Sequence, residues 1–158
     1  MKNLKIAIVL IAVGVMGLFA VNFYSQSYSR FAISSSDFQS NGERIYFTAT
    51  SNSGKPIISS IGAMTMRGGM MSCAACHGAD GKGGQGRMMM WTFNASDIRY
   101  SSLTSGIEGE KPYTDELIKR AITEGLDSEG KRLEPPMPVW QMSDEDQNDL
   151  LEYLKTLK

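Results

Sequence analysis

The chain has 158 residues, enough for one domain with its own core. Hydrophobic residues make up 42% and charged residues 21%, an ordinary globular composition. The net charge of -1 speaks against a nucleic-acid partner, which calls for a basic surface.

The N-terminus reads Met1-Lys2-Asn3-Leu4-Lys5 and then an apolar run from Ile6 to Val21, broken by Asn22 before Phe23 and Tyr24. Its length falls between a signal-peptide core and a full membrane span. Lys2 and Lys5 stay on the cytoplasmic side and send the rest of the chain outward. No small-residue cleavage site is clear, because Leu18 occupies a position where one is wanted before Ala20. Residues 1–24 are therefore expected to form an uncleaved single-pass transmembrane anchor, with a cleaved signal as the alternative. Both place the domain on the periplasmic or extracellular side of the cell membrane. Seven serines between Ser25 and Ser40 mark a polar tether at 25–37, ahead of a domain at 38–158.

A short helix is predicted next. Asp37 or Ser40 caps it, and Gly42, Ile45 and Tyr46 line one face. Ser51-Asn52-Ser53-Gly54-Lys55-Pro56 is a turn signal, and Ile57-Ile58 begins a short extended piece. Of the 11 Met and 16 Gly, many sit between Gly62 and Met90.

Cys73-Ala74-Ala75-Cys76-His77 is the most informative segment. C-x-x-C-H is the attachment signature of a c-type haem. The two thiols add across the vinyl groups of the porphyrin, and His77 follows at once as the proximal ligand of the iron. Its Nδ1–H needs an acceptor, which the sequence does not identify. A dithiol redox pair or half of a zinc site are the alternatives. Zinc needs further good ligands, and His77 is the sole histidine. Both cysteines lie in this motif, so none remains for a structural disulfide.

Five glycines between Gly78 and Gly86 predict a loop that passes close to something flat and bulky. Residues 87–105 are mixed, with an apolar cluster from Met88 to Phe93. Thr114 caps a helix whose apolar face is Leu117, Ile118, Ala121 and Ile122, and Gly125 ends it. Ser143 caps the last helix, with Asp146 as a stand-in for the usual capping-box Glu and Leu150, Leu151, Leu154 and Leu157 on its buried face. Between them, Glu134-Pro135-Pro136-Met137-Pro138-Val139-Trp140 is kept out of helix by proline.

Met137 is the expected sixth ligand. It sits between prolines in a stiff loop, so placing its sulfur costs little entropy, and thioether sulfur suits reduced iron. Met64, Met66, Met70, Met71 and Met88–Met90 are the other candidates, with a five-coordinate iron as a further possibility. Met142 is expected to pack on the last helix. The Met-rich stretch is expected to pack against the cofactor, with Cu(I) binding as the alternative. Trp91 and Trp140 can pack on the haem, and Arg87 and Arg99 can pair with its propionates. Charge is uneven, +3 over residues 41–100 and -6 over 101–158. A solvated acidic face is the simpler reading, and a field that orients a redox partner is the other.

Taken together, Cys73-Ala-Ala-Cys-His-Gly-Ala-Asp-Gly-Lys-Gly-Gly, Met137-Pro138-Val139-Trp140 and the closing helix Ser143–Leu157 resemble a class I, monohaem cytochrome c. The resemblance covers roughly residues 38–157. It implies an all-α domain around one covalent haem c and its iron. It also implies that the first and last helices cross, with Gly42 and Tyr46 meeting Leu150 and Tyr153. Residues 47–72 form an insertion before the haem motif, expected as a flap beside the cofactor. The resemblance implies an electron carrier rather than an enzyme, one that serves a quinol-oxidising complex as donor and a terminal oxidase or reductase as acceptor. The alternatives are a fixed subunit of such a complex, and a haem peroxidase or gas sensor with an open sixth position.

Overall fold

A computed structural model describes residues 38–158, except 54, 56, 70, 89, 90 and 107–110. The expected anchor, 1–24, and the expected tether, 25–37, lie outside the described residues. Among the described residues, no helix is long and apolar enough to cross a membrane.

Helix α1 spans Asn41–Thr48. Ser40 starts it: its hydroxyl accepts from the Glu43 N–H at 3.0 Å, while the Glu43 carboxylate accepts from the Gln39 N–H at 2.6 Å. The helix stops at Ala49, whose backbone is left-handed with φ 51°. The break therefore falls after Thr48 and not at residue 47, where the insertion was expected to begin. Beyond it, strand β1 (Ile58–Ile61) and strand β2 (Met64–Arg67) form an antiparallel hairpin, Ile58 opposite Arg67 and Ile61 opposite Met64.

The haem motif forms helix α2, Cys73–His77. A second hairpin follows, strands β3 (Gly84–Met88) and β4 (Trp91–Ala95), with Gly84 opposite Ala95 and Met88 opposite Trp91. Helix α3 is Tyr100–Ser105 and helix α4 is Asp115–Glu124. The Thr114 hydroxyl accepts from the Leu117 N–H, and α4 ends at Gly125 with φ 68°. Strand β5 (Val139–Gln141) leads into helix α5, Asp144–Thr156.

The expectation of an all-α fold is corrected here. Among the described residues there are two sheets, one of three strands in the order β2-β1-β5 and one of two, β3-β4. Both depend on partners the local sequence does not announce. Strand β1 pairs with β5 across some eighty residues of chain, Ser59 opposite Trp140. In β3, glycines alternate with polar residues, so no apolar period marks a strand. The Gly-rich loop expected at 78–86 thus gives way to strand at Gly84.

Helices α1 and α5 cross in close contact, as the resemblance implies. A Cβ at position 42 would lie 1.9 Å from the Asp149 carbonyl oxygen and 2.8 Å from Tyr153 Cβ, so only glycine permits this approach. The Tyr46 and Tyr153 rings meet with centroids 5.2 Å apart. Ile45, Tyr46, Ile57, Leu150, Leu151 and Leu154 are buried around this crossing. Each contributes about 1.5–3 kcal/mol by leaving water.

One polar group sits in that packing. Asp146 is 1% exposed. Its carboxylate accepts from the Ser51 hydroxyl, from the Asn41 amide at 3.0 Å and from the Ser143 hydroxyl at 2.8 Å. It therefore does more than stand in for a capping-box Glu: it ties the start of α5 to α1 and to the insertion.

Candidate functional site

The site is built on α2. Cys76 follows Cys73 by three positions, close to one helical turn, which sets both sulfurs on the same side. The cysteines are not bonded to each other. Burial pushes the Cys73 thiol up to about 12, with Cys76 adding to the shift, and burial also raises the Cys76 thiol. A dithiol redox pair needs the opposite, a lowered thiol. The zinc alternative fares no better. Among the described residues, no group of three His, Cys, Asp or Glu side chains is placed to hold a metal ion.

His77 is 8% exposed. Its Nδ1 lies 2.8 Å from the Ser96 carbonyl oxygen. A carbonyl only accepts, so Nδ1 carries the proton and Nε2 is left with a free lone pair. Burial lowers the pKa of the imidazole, although the Ser96 hydrogen bond opposes the shift. Ser96 is the functional residue that sequence reasoning missed. A main-chain acceptor has no residue-type signature.

The chain after His77 is folded to deliver that oxygen. The Gly83 N–H donates to the His77 carbonyl at 2.9 Å, and the Ile98 N–H donates to the Gly81 carbonyl at 2.8 Å. A Cβ on Gly83 would fall 2.1 Å from the Ala95 carbonyl oxygen and 2.6 Å from that of Ser96, and its φ is 72°. Position 83 thus has to be glycine for β4 to end beside the imidazole. From α1, the Tyr46 hydroxyl donates to the Gly78 carbonyl at 2.6 Å and ties the end of the motif to the helix crossing.

Cys73, Cys76 and His77 line a cavity of about 580 Å³. Its volume is within the roughly 300–1,000 Å³ of small-molecule and cofactor sites. Leu103, Ile118, Leu150 and Leu154 supply apolar wall, and β4 contributes Phe93. Met137 lines the same cavity. Its N–H donates to the Glu134 carbonyl at 3.2 Å, and Pro136 and Pro138 beside it are buried.

The other sequence candidates separate. Trp140 is 4% exposed and lines the cavity. Trp91 begins β4. Met71 is buried and lines the cavity, Met66 and Met88 pack against the core, and Met64 is 43% exposed. Met142 packs against the core beside α5, as expected. The pairing of Arg99 with a propionate is not supported, because its guanidinium grips Asp97 through Nε at 3.0 Å and 3.1 Å. That contact, with the Ser102 hydroxyl at 2.9 Å, holds the Asp97 carboxyl at about 2. Arg87 is exposed on β3.

An apolar cavity with two thiols on one helical turn and a pinned imidazole is fitted to a porphyrin bonded through thioethers. The donor chemistry therefore defines a covalent haem protein. The family comparison agrees: residues 64–158 match the family model described as cytochrome c. The chain belongs to the cytochrome c family, and its cofactor is haem c with its iron. No curated protein and no solved structure matches the chain. The family match begins at β2 and leaves out α1, although α1 supplies half of the helix crossing.

Proposed function

We propose that this domain is a class I cytochrome c that carries single electrons, with His77 and Met137 as the axial ligands of its iron. The observation that carries this reading is that Met137 and a His77 with Nε2 left free line one cavity with both thiols. The haem supplies a one-electron couple between ferric and ferrous iron. The protein's part is to hold its side chains still while the charge changes. Cys73 and Cys76 fix the porphyrin to α2. The Ser96 carbonyl fixes the His77 ring, and the apolar wall keeps water from the iron. Met137, presented by a proline-flanked turn, raises the reduction potential relative to a harder ligand.

Outside the described residues, 1–24 would anchor the chain and 25–37 would tether the domain beyond the cytoplasmic membrane. The partners would be a quinol-oxidising complex as donor and a terminal oxidase or reductase as acceptor. The cofactor edge near Cys73–His77 would be the electron port, and Ala75 is exposed there.

The test is an optical spectrum and redox titration of the purified holoprotein. Met137→Ala is expected to abolish the red charge-transfer band of Met-ligated ferric haem. It should also lower the potential by on the order of 0.1 V, within the roughly 0.8 V that axial ligands span. Carbon monoxide should bind the reduced variant readily and the reduced wild type poorly. An unchanged Met137→Ala spectrum would mean that another sulfur is the ligand.

A further inference from the structure

The insertion between α1 and the haem motif has a place in the fold that its sequence does not announce. Its strand β1 is the middle strand of the three-stranded sheet, with β2 on one side and β5 on the other. The pairing with β5 runs over Ile58–Gln141, Ser59–Trp140 and Ser60–Val139. Val139 is two residues beyond Met137, and only Pro138 stands between them. We infer that the hairpin 58–67 is a clamp for the axial-ligand loop, and that it holds Met137 against displacement from the iron by pinning the strand that follows it. This rests on the assignment of Met137 as ligand made above.

Three observations support the clamp. First, the hairpin is itself anchored. The Gly68 N–H donates to the Ile57 carbonyl at 2.8 Å, and the Gly69 N–H donates to the Thr48 carbonyl at the end of α1 at 3.0 Å. Ile57, at the foot of β1, is 1% exposed, and Ser51, six positions earlier, is bonded to the buried Asp146. Second, the contact with β5 is interior. Ser59 is 2% exposed and lies opposite Trp140, which is 4% exposed and lines the cofactor cavity. Third, β5 is only three residues long. A strand that short has little stability of its own, so its position depends on the neighbour it pairs with. On its other flank, β5 packs beside the C-terminal end of α4, where a Cβ on Gly125 would come 2.9 Å from Val139 Cγ2.

A thioether is a weak, neutral ligand. How well it resists replacement depends on how rarely its loop moves away, because each opening exposes the iron to competitors. A clamp on β5 lowers the frequency of opening and leaves the attached cofactor untouched.

The geometry allows a clean excision. Ile57 and Gly68 face each other through a hydrogen bond, so a two-residue Asn-Gly turn can replace residues 58–67 and close the chain. In the holoprotein, the excised variant should keep its covalent haem, since Cys73, Cys76 and His77 are unchanged. Its reduced form should bind carbon monoxide at least tenfold faster than wild type. Its oxidised form should bind imidazole at least tenfold more tightly. Wild-type rates and affinities in the excised protein would overturn the clamp, provided that Met137→Ala does lose the red band. If Met137→Ala keeps the band, the ligand assignment fails instead, and the two failures are told apart. Should the excised chain fail to mature, hydrogen exchange on wild type decides. Protection of residues 58–60 and 139–141 should be lost together as imidazole displaces the native ligand. Free exchange of 58–60 in protein with the red band intact would refute the clamp.

Discussion

Asp146 shows how one buried charge can hold three segments together. Burial alone would raise its pKa, but the hydroxyls of Ser51 and Ser143 and the Asn41 amide stabilise the carboxylate, and the balance is a lowered value. Its folded value thus lies below the roughly 3.9 of an unfolded Asp. The stabilisation is present above about pH 4 and is lost as pH falls through the folded value. Asp146→Asn is expected to cost about 2 kcal/mol at pH 7, the worth of charge-assisted hydrogen bonds at a buried site. In denaturant titrations of the holoprotein, the gap between wild type and variant should narrow below about pH 4. A gap that stays constant down to pH 3 would show that the carboxylate is not ionised in the fold.

Among the elements, what the sequence disclosed and what it hid divide by range. The caps at Ser40, Thr114 and Ser143 were readable because each acts on an N–H three residues away. The covalent part of the site was readable because thioether attachment demands two thiols and an imidazole at fixed spacing. The strands were not. Ser59 finds Trp140 only after the chain has folded, and Gly84-Gln85-Gly86-Arg87 carries no apolar alternation. Nor was the Ser96 carbonyl, since every residue carries one. The helix crossing makes its own prediction. Gly42→Ala places a carbon within 1.9 Å of the Asp149 carbonyl oxygen. Forcing α1 and α5 apart should cost about 3 kcal/mol, at the upper end of ordinary overpacking. The red charge-transfer band should survive at low temperature, because position 42 does not itself line the cavity and the groups proposed to hold the iron are unchanged. A neutral Gly42→Ala would show that α1 docks more loosely than described.

For the molecule as a whole, the cofactor is part of the core. The cavity of about 580 Å³ is bounded by residues that also form the helix crossing, Leu150 and Leu154 among them. Without the haem, the apolar side chains that line the cavity lose their packing partners and meet water. A Cys73→Ala/Cys76→Ala chain recovered without haem is therefore expected to lack a cooperative thermal transition and to bind hydrophobic dyes. A sharp transition near that of the holoprotein would show that the helices pack without their cofactor. The charge asymmetry belongs to this scale too, since the C-terminal part carries -6. If it orients a redox partner, electron-transfer rates should fall as salt rises, while the intramolecular properties stay constant.

The Ser96 acceptor has an implication for anyone who sets out to re-engineer the potential. Because the oxygen belongs to the main chain, every amino acid placed at 96 presents the imidazole with the same partner. Swapping that side chain is an empty experiment. The adjustable part is instead position 83, where any substituent larger than hydrogen would push the exit of β4 aside and slacken the grip on the ring from a distance.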